Sequence, residues 1–477
     1  MSSSGTRSYK YSRLRLIVVL LVLAGGASVA SFRESRPVAA ASAPTQGIQP
    51  LSADDVSLLF PPPTRPEDFA KLIAVRDLTT PNAQDPTKRD LVWPVAAFQQ
   101  FLAIAASPAA QVDGTEARIG LPAEAQTIDG WFIAGIRIDA GAPGLSNDIL
   151  AQFGRSPEIR LIVQPVTRNS DGTPKVDDIA VHLIYDFTLP PQPSPGCLPR
   201  QTPDLSAFNA IVADLAGLRT KLANGQLGAD KVITAGVPLG VHPGLVDPTT
   251  AVDMRNEIIA LLERHISGRH LNAMAIAGLP AGAPEPWIFL SMLNVPAGFA
   301  PALPNGGFVP VNGPTLDGQQ FAQMLQAAGA VPRVLPTPHT NNLNSITCRN
   351  AAVPGTSLPI AQRNGVATAD LFITPTPPAD KTKQILDVIA DPAKSHFFNT
   401  DCVSCHTETV RAKELLNVSA ILGIDPTALP TGSWDVRNFG WSPDERPIRA
   451  IVTRRTAAET AAVVAFINAE LLDNQQQ

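Results

Sequence analysis

Apolar and polar or small residues alternate through Trp131-Phe132-Ile133-Ala134-Gly135-Ile136-Arg137-Ile138, and the run closes at Asp139-Ala140-Gly141. A period of two predicts a strand with one buried face. Similar runs over Ile159–Val166 and Ile179–Leu189 predict two more. Asn169-Ser-Asp-Gly-Thr-Pro174 between them has the chemistry of a turn. These three predict a small antiparallel sheet. Leu271–Leu279 and Pro286–Leu293 predict a further pair of strands joined by a Pro/Gly turn. Elsewhere the period lengthens. Phe208, Ile211, Val212, Leu215, Leu218 and Leu222 form a stripe at helical spacing, so Phe208–Ala223 is a predicted helix. Thr249–Ile266 predicts another, and shorter helices are expected over Phe69–Val75, Phe98–Ala106 and Gly318–Ala328. The stretches 190–204 and 330–378 are rich in proline and read as irregular.

Composition changes this picture in one respect. Proline supplies 46 of 477 residues, about twice the usual share, which favours short elements and many loops. The net charge of −5, with no basic tract beyond the N-terminus, gives no footprint for nucleic acid. The chain opens with Arg7, Lys10, Arg13 and Arg15, then an apolar run over Leu16–Leu23, then Ser28-Val29-Ala30. That order is the pattern of a Sec-type secretory signal peptide over residues 1–30. The apolar core falls short of the roughly 20 residues that span a bilayer. A retained membrane anchor is the alternative, and it is the one route by which a membrane becomes a partner. Residues 31–50 read as a flexible tether, so the expected location is the periplasm.

The chemistry concentrates in Cys402-Val403-Ser404-Cys405-His406. This is a C-x-x-C-H run, the spacing used for covalent attachment of haem. Two thiols on one turn add to the two vinyl groups of one porphyrin, and the adjacent histidine becomes an axial ligand of the iron. One covalent haem c is the expected cofactor, held by Cys402 and Cys405 with His406 on the metal. A zinc site is the competing reading. It lacks a second C-x-x-C pair to complete it. Cys197 and Cys348 lie far apart in an exported chain, where a disulfide is the default. It would stabilise the fold by roughly 5 kcal/mol through loop closure, and two free buried thiols are the alternative. His182, His242, His265, His270 and His339 are scattered and read as structural or solvated. Asp171, Asp177 and Asp178 near Gly172 match no calcium loop and read as a turn.

From Thr374-Pro-Thr-Pro-Pro-Ala379 onward the chain resembles a mono-haem, class I-like c-type cytochrome domain. Phe398 stands four residues before Cys402, where that family often carries an aromatic against the porphyrin. Thr407–Leu416 predicts a helix after the motif. Thr456–Leu472 predicts a terminal helix, with Thr456 and Glu459 as a capping box and Val463, Phe466, Ile467 and Leu471 as its apolar face. The resemblance implies a small all-α domain over 379–477. It would follow an α+β region over 51–340, with a possible subdomain break near 190–205 and an irregular linker over 341–378. One departure stands out. The family takes its second axial ligand from a methionine after the motif, yet neither methionine nor histidine follows His406. Trp434 and Trp441 fall in the equivalent stretch. They either wall the haem pocket or belong to an open distal site in which Arg437 or Asn438 holds a small ligand. A sixth protein ligand must otherwise come from the large region, from Met254, Met274, Met292, Met324 or a histidine.

Three functions follow. The leading one is an exported electron carrier with a redox partner protein. The second is a haem enzyme of peroxidase type with an open iron. The third is a haem-based sensor or binding protein. If the signal reading holds, the secreted chain begins near Ser31 in the soluble periplasmic fraction, and N-terminal sequencing checks it. An intact Met1 in the membrane fraction would favour the anchor.

Overall fold

The alternating segments become one antiparallel sheet of eight strands. The computed structural model describes residues 49–106, 110–112, 115–117, 119–142, 156–189, 202–227, 238–278, 288–295, 297, 306–310, 379–395, 402–418, 420–431, 437–443 and 447–472. The strands are β1 (Ser57–Leu59), β2 (Trp131–Ala142), β3 (Ser156–Arg168), β4 (Pro174–Val176), β5 (Ile179–Asp186), β6 (Leu271–Gly278), β7 (Ile288–Val295) and β8 (Gly307–Pro310). Their order is β1-β2-β3-β5-β6-β7-β8, with β4 paired to β3. Two meanders, β2–β5 and β6–β8, are thus joined through a long excursion. That excursion carries α2 (Leu205–Ala223) and α3 (Ala251–His265), while α1 (Val95–Ala105) precedes β2.

The sheet has two different faces. A register shift between Ile133 and Gly135 lets β2 keep Trp131, Ile133, Ile136 and Ile138 on one side. Val163 and Leu161 of β3, Val181 and Leu183 of β5, and Met274 and Ile276 of β6 line up with them. This face is apolar and fully buried, and the buried stripes of α1, α2 and α3 join the same core. Trp93, Phe98, Phe101 and Trp131 form an aromatic cluster there; the Trp93 and Phe98 rings lie 4.9 Å apart and edge to face. The opposite face carries Gly135, Arg137 and Asp139, then Glu158, Arg160, Ile162 and Gln164, then His182, Ile184 and Asp186. So much buried charge requires a second polar layer above it.

The C-terminal segment supplies that layer. It contains α4 (Ala379–Ala390), α5 (Cys402–Leu416), the hairpin β9 (Phe439–Ser442) and β10 (Arg449–Val452), and α6 (Arg454–Phe466), which continues as a π turn over Ile467–Leu472. The expectation of an α+β region followed by a small all-α cytochrome-like domain is therefore corrected. The body is built on the large antiparallel sheet, and residues 379–472 belong to the same compact unit. The reason lies in their side chains. Among the described residues the segment's private core amounts to Leu386 and Ala412, with Leu416 beside them. Its larger apolar groups, Phe439, Trp441, Val452, Val463 and Ile467, join the main core instead.

Two contacts fasten the hairpin to the sheet. The backbone N–H of Trp441 donates to Gln164 Oε1 at 2.7 Å, and Gln164 Nε2 donates to Trp441 O at 3.0 Å. The side-chain amide therefore does the work of a strand neighbour. Phe439 presses on Gly135, where an added Cβ would stand 2.5 Å from its ring. Among the described residues no helix is long and apolar enough to cross a membrane.

The expected helix over Phe69–Val75 is a 3-10 turn, Pro66–Lys71, because Pro66 starts it and no apolar stripe extends it. Gly318–Ala328 lies outside the described residues. Replacing Gln164 with alanine leaves a buried donor and a buried acceptor of Trp441 unpaired, so stability falls by about 3 kcal/mol. Urea unfolding checks this as a lower midpoint at unchanged slope.

Candidate haem site

Cys402 opens α5, and Cys405 and His406 follow within its first turn. Helical geometry sets positions three and four apart on one side. Cys405 is in no disulfide, and both it and His406 are half-buried. Past them the helix turns sharply inward: Thr407, Glu408, Thr409, Val410, Arg411 and Ala412 are all buried. Burial raises the Glu408 carboxyl to about 7, against the pull of Arg454 and Thr409.

That inward face caps the terminal helix. Thr409 Oγ1 accepts from Arg454 N at 2.9 Å, and Glu408 Oε1 accepts from Arg455 N at 3.2 Å. Both donors are first-turn amides of α6 that have no partner inside their own helix. Thr453 is its N-cap and accepts from Thr456 N. The capping box expected from Thr456 and Glu459 is thus corrected: the helix starts three residues earlier, which frees Glu459 for another task. Glu459 accepts from Arg455 Nε at 2.7 Å and from Arg137 Nη2 of β2 at 2.9 Å. Burial alone would raise its pKa. Arg455, Arg137 and Arg160 outweigh burial and hold the carboxyl far below the usual range. Arg455 also donates to Ser395 O at 2.7 Å and to Ile389 O and Asp391 O at 3.3 Å, which closes the C-terminal end of α4. Its charge is felt at Cys405. One guanidinium thus joins α4 and α6.

On the polar face of the sheet stands His182 of β5. It pairs in register with Ile162 of β3 and Ala275 of β6. Burial, then the charges of Arg160, His406, Arg137 and Arg437, push its imidazole down to about 3. The ring is deep, yet it keeps a half-buried flank, as do Ala273, Ala275 and Ser291 beside it in register. Neither ring nitrogen has a hydrogen-bond partner among the described residues.

These residues fit a covalently held haem. The donor set is two thiols and an imidazole at the start of one helix. Sequence reading placed His182 among structural histidines. The usable signal was its phase: Val181, Leu183 and Tyr185 are core, so His182 must face the other layer.

The other expected residues are distributed as follows. Trp441 is fully buried, and its Nε1 donates to Phe60 O at 2.9 Å, which makes it a wedge in the core. Arg437 is buried and donates to Asp178 Oδ1 at 2.5 Å, tying the hairpin's approach to the sheet. Asp171 accepts from Thr173 N in the β3–β4 turn, and Asp177 pairs with Lys175. His242 is buried and accepts from Gly244 N through Nδ1. His265 meets Asp214 at 2.7 Å, and His270 stands 3.4 Å from Ser267 Oγ. Among the described residues no group of three His, Cys, Asp or Glu side chains converges as a metal site. Phe398, Trp434, Cys197, Cys348, His339, His396 and Met324 lie outside the described residues, as do the signal and tether over 1–48. No family model, no curated protein and no solved structure matches the chain.

Glu459→Gln tests the link between the layers. A carboxyl with a depressed folded pKa contributes stability above its unfolded value and loses it as pH falls. The variant is therefore less stable by about 3 kcal/mol at neutral pH, as for one lost partner of a buried pair. The gap to the parent narrows as pH drops below roughly 4.5. Denaturant titrations at several pH values measure both.

Proposed function

We propose that this chain is a c-type haem protein that carries single electrons in the periplasm. The observation that carries the reading is the C-x-x-C-H run at the start of α5. Cys402 and Cys405 hold the porphyrin through two thioether bonds, and His406 binds the iron from the same helix. When bound, the haem supplies a one-electron iron couple. The protein supplies position and surroundings. Arg455 places its charge near Cys405, while Glu408 and Thr409 fix the middle of α5 on α6. The buried layer between sheet and helices limits water and lowers the local dielectric, which is one of the protein's levers on potential. The likeness to c-type cytochromes is kept to the attachment run, since the surrounding fold is a sheet protein. Export, read from residues 1–30, provides the compartment in which haem is attached, and a soluble redox protein is the partner class.

The test is chemical. Protein made in a host able to attach haem keeps its colour through acid-acetone extraction, and its mass carries one haem adduct. Cys402→Ser with Cys405→Ser removes the adduct completely and leaves the sheet folded by circular dichroism. Complete loss of colour from the parent protein on extraction would refute the reading.

A further inference from the structure

We infer that Asp54 and Asp55 share one proton across the hydroxyl of Ser52, and that this proton fastens a strap, residues 51–60, to the body of the molecule.

The hydroxyl decides the proton count. Ser52 Oγ stands 2.6 Å from Asp55 Oδ2 and also touches Asp54 Oδ1. A serine hydroxyl has one proton to donate and lone pairs to accept with. Two carboxylates cannot both receive that proton at such short range, so one contact is made by a carboxyl that donates to Oγ. The proton belongs to the pair rather than to either acid. Both side chains are buried. Ser52 N donates to Asp55 Oδ2 at 2.7 Å, and Arg219 Nε of α2 stands 3.8 Å from the same oxygen. Asp54 Oδ2 is buried with no hydrogen-bond partner, so a second full negative charge finds no compensation there. With one shared proton the two acids and Arg219 sum to zero. Burial, then Asp54, raises the Asp55 carboxyl to about 6, against Ser52 and Arg219. His242 completes the titratable groups. Its N–H donates to Leu59 O at 2.9 Å, and its Nδ1 accepts from Gly244 N. Burial pushes this imidazole down to about 4, so it stays neutral at mild acidity.

The strap touches every part of the upper layer's anchor. Leu51 N donates to Asn468 Oδ1, and Asn468 Nδ2 donates to Leu51 O, both at 2.9 Å. Ser57 Oγ meets Thr460 Oγ1 of α6 at 2.7 Å, and Phe60 O accepts from Trp441 Nε1. β1 pairs with β2, where Ser57 lies opposite Arg137, whose charge is spent on Glu459. These clasps join neutral groups that pH does not alter, so pH operates the strap through the acid pair. A carboxyl whose folded pKa is raised favours the closed state at low pH and loses that advantage as pH rises through about 6. Deprotonation leaves two buried carboxylates against one guanidinium, and the strap opens more often.

The test is amide hydrogen exchange by mass spectrometry on the full-length protein at pH 5 and pH 8, corrected for intrinsic exchange rates. In the parent, peptides spanning 51–60 should open roughly tenfold more often at pH 8. Asp54→Asn puts an amide donor where the shared proton lies and should remove this response, leaving the strap as closed at pH 8 as at pH 5. If that variant does not fold, Asp55→Asn serves, since a single carboxylate then faces Arg219 and the response should again vanish. Equal protection of the parent at both pH values overturns the inference. So does a tenfold response that persists unchanged in the folded variant, because other groups then produce it.

Discussion

Glu459 holds two layers together by accepting from two arginines at once. Arg137 reaches it from the sheet, and Arg455 reaches it from one turn earlier in its own helix. Remove the carboxylate and two buried guanidiniums face each other without compensation. The rest of the upper layer depends on this point. Arg455 closes the end of α4, while the first turn of the same helix is capped by side chains of α5. The three helices hold one another through charge and polar contacts more than through apolar burial, which is why they need the sheet beneath them.

The sheet is built for this arrangement. Its apolar face makes a conventional core with α1, α2 and α3. Its other face concentrates the buried Arg137, Asp139 and Glu158 with the half-buried Arg160 and His182. Burial raises the Glu158 carboxyl to about 7 despite Arg160 beside it, a measure of how little water reaches this layer. Such a face is expensive in stability and gives specificity of pairing in return. A polar seam between two layers is also a natural place for a flat, amphipathic cofactor.

Much of the sheet was legible in the sequence. β2, β3, β5, β6 and β7 each fall where alternation predicted a strand, and the turn after Arg168 falls where Asn169 and Gly172 predicted it. The helices over Phe208–Ala223 and Thr249–Ile266 follow the same logic. What could not be read was the partner of each polar phase. Arg137 and Glu459 are separated by 322 positions, and nothing local marks either as the other's counterpart. The capping box at Thr456 was locally sound, but Thr453 offered a competing cap and Arg137 a stronger use for Glu459. The all-α reading of the C-terminal segment failed because a motif identifies attachment chemistry and says nothing of what the helix around it packs against. The C-x-x-C-H run itself was plain from spacing alone, whereas the phase that puts His182 on the polar face needed the sheet's register to be seen.

The pairing of Gln164 with Trp441 has a kinetic side. The two residues lie 277 positions apart, so this clasp closes only after a very large loop has been drawn together. Contacts of such separation form late and slow the search for the native state. Until it closes, Gln164 and the backbone of Trp441 stay open to water, so the joint between hairpin and sheet is among the last parts of the molecule to become dry.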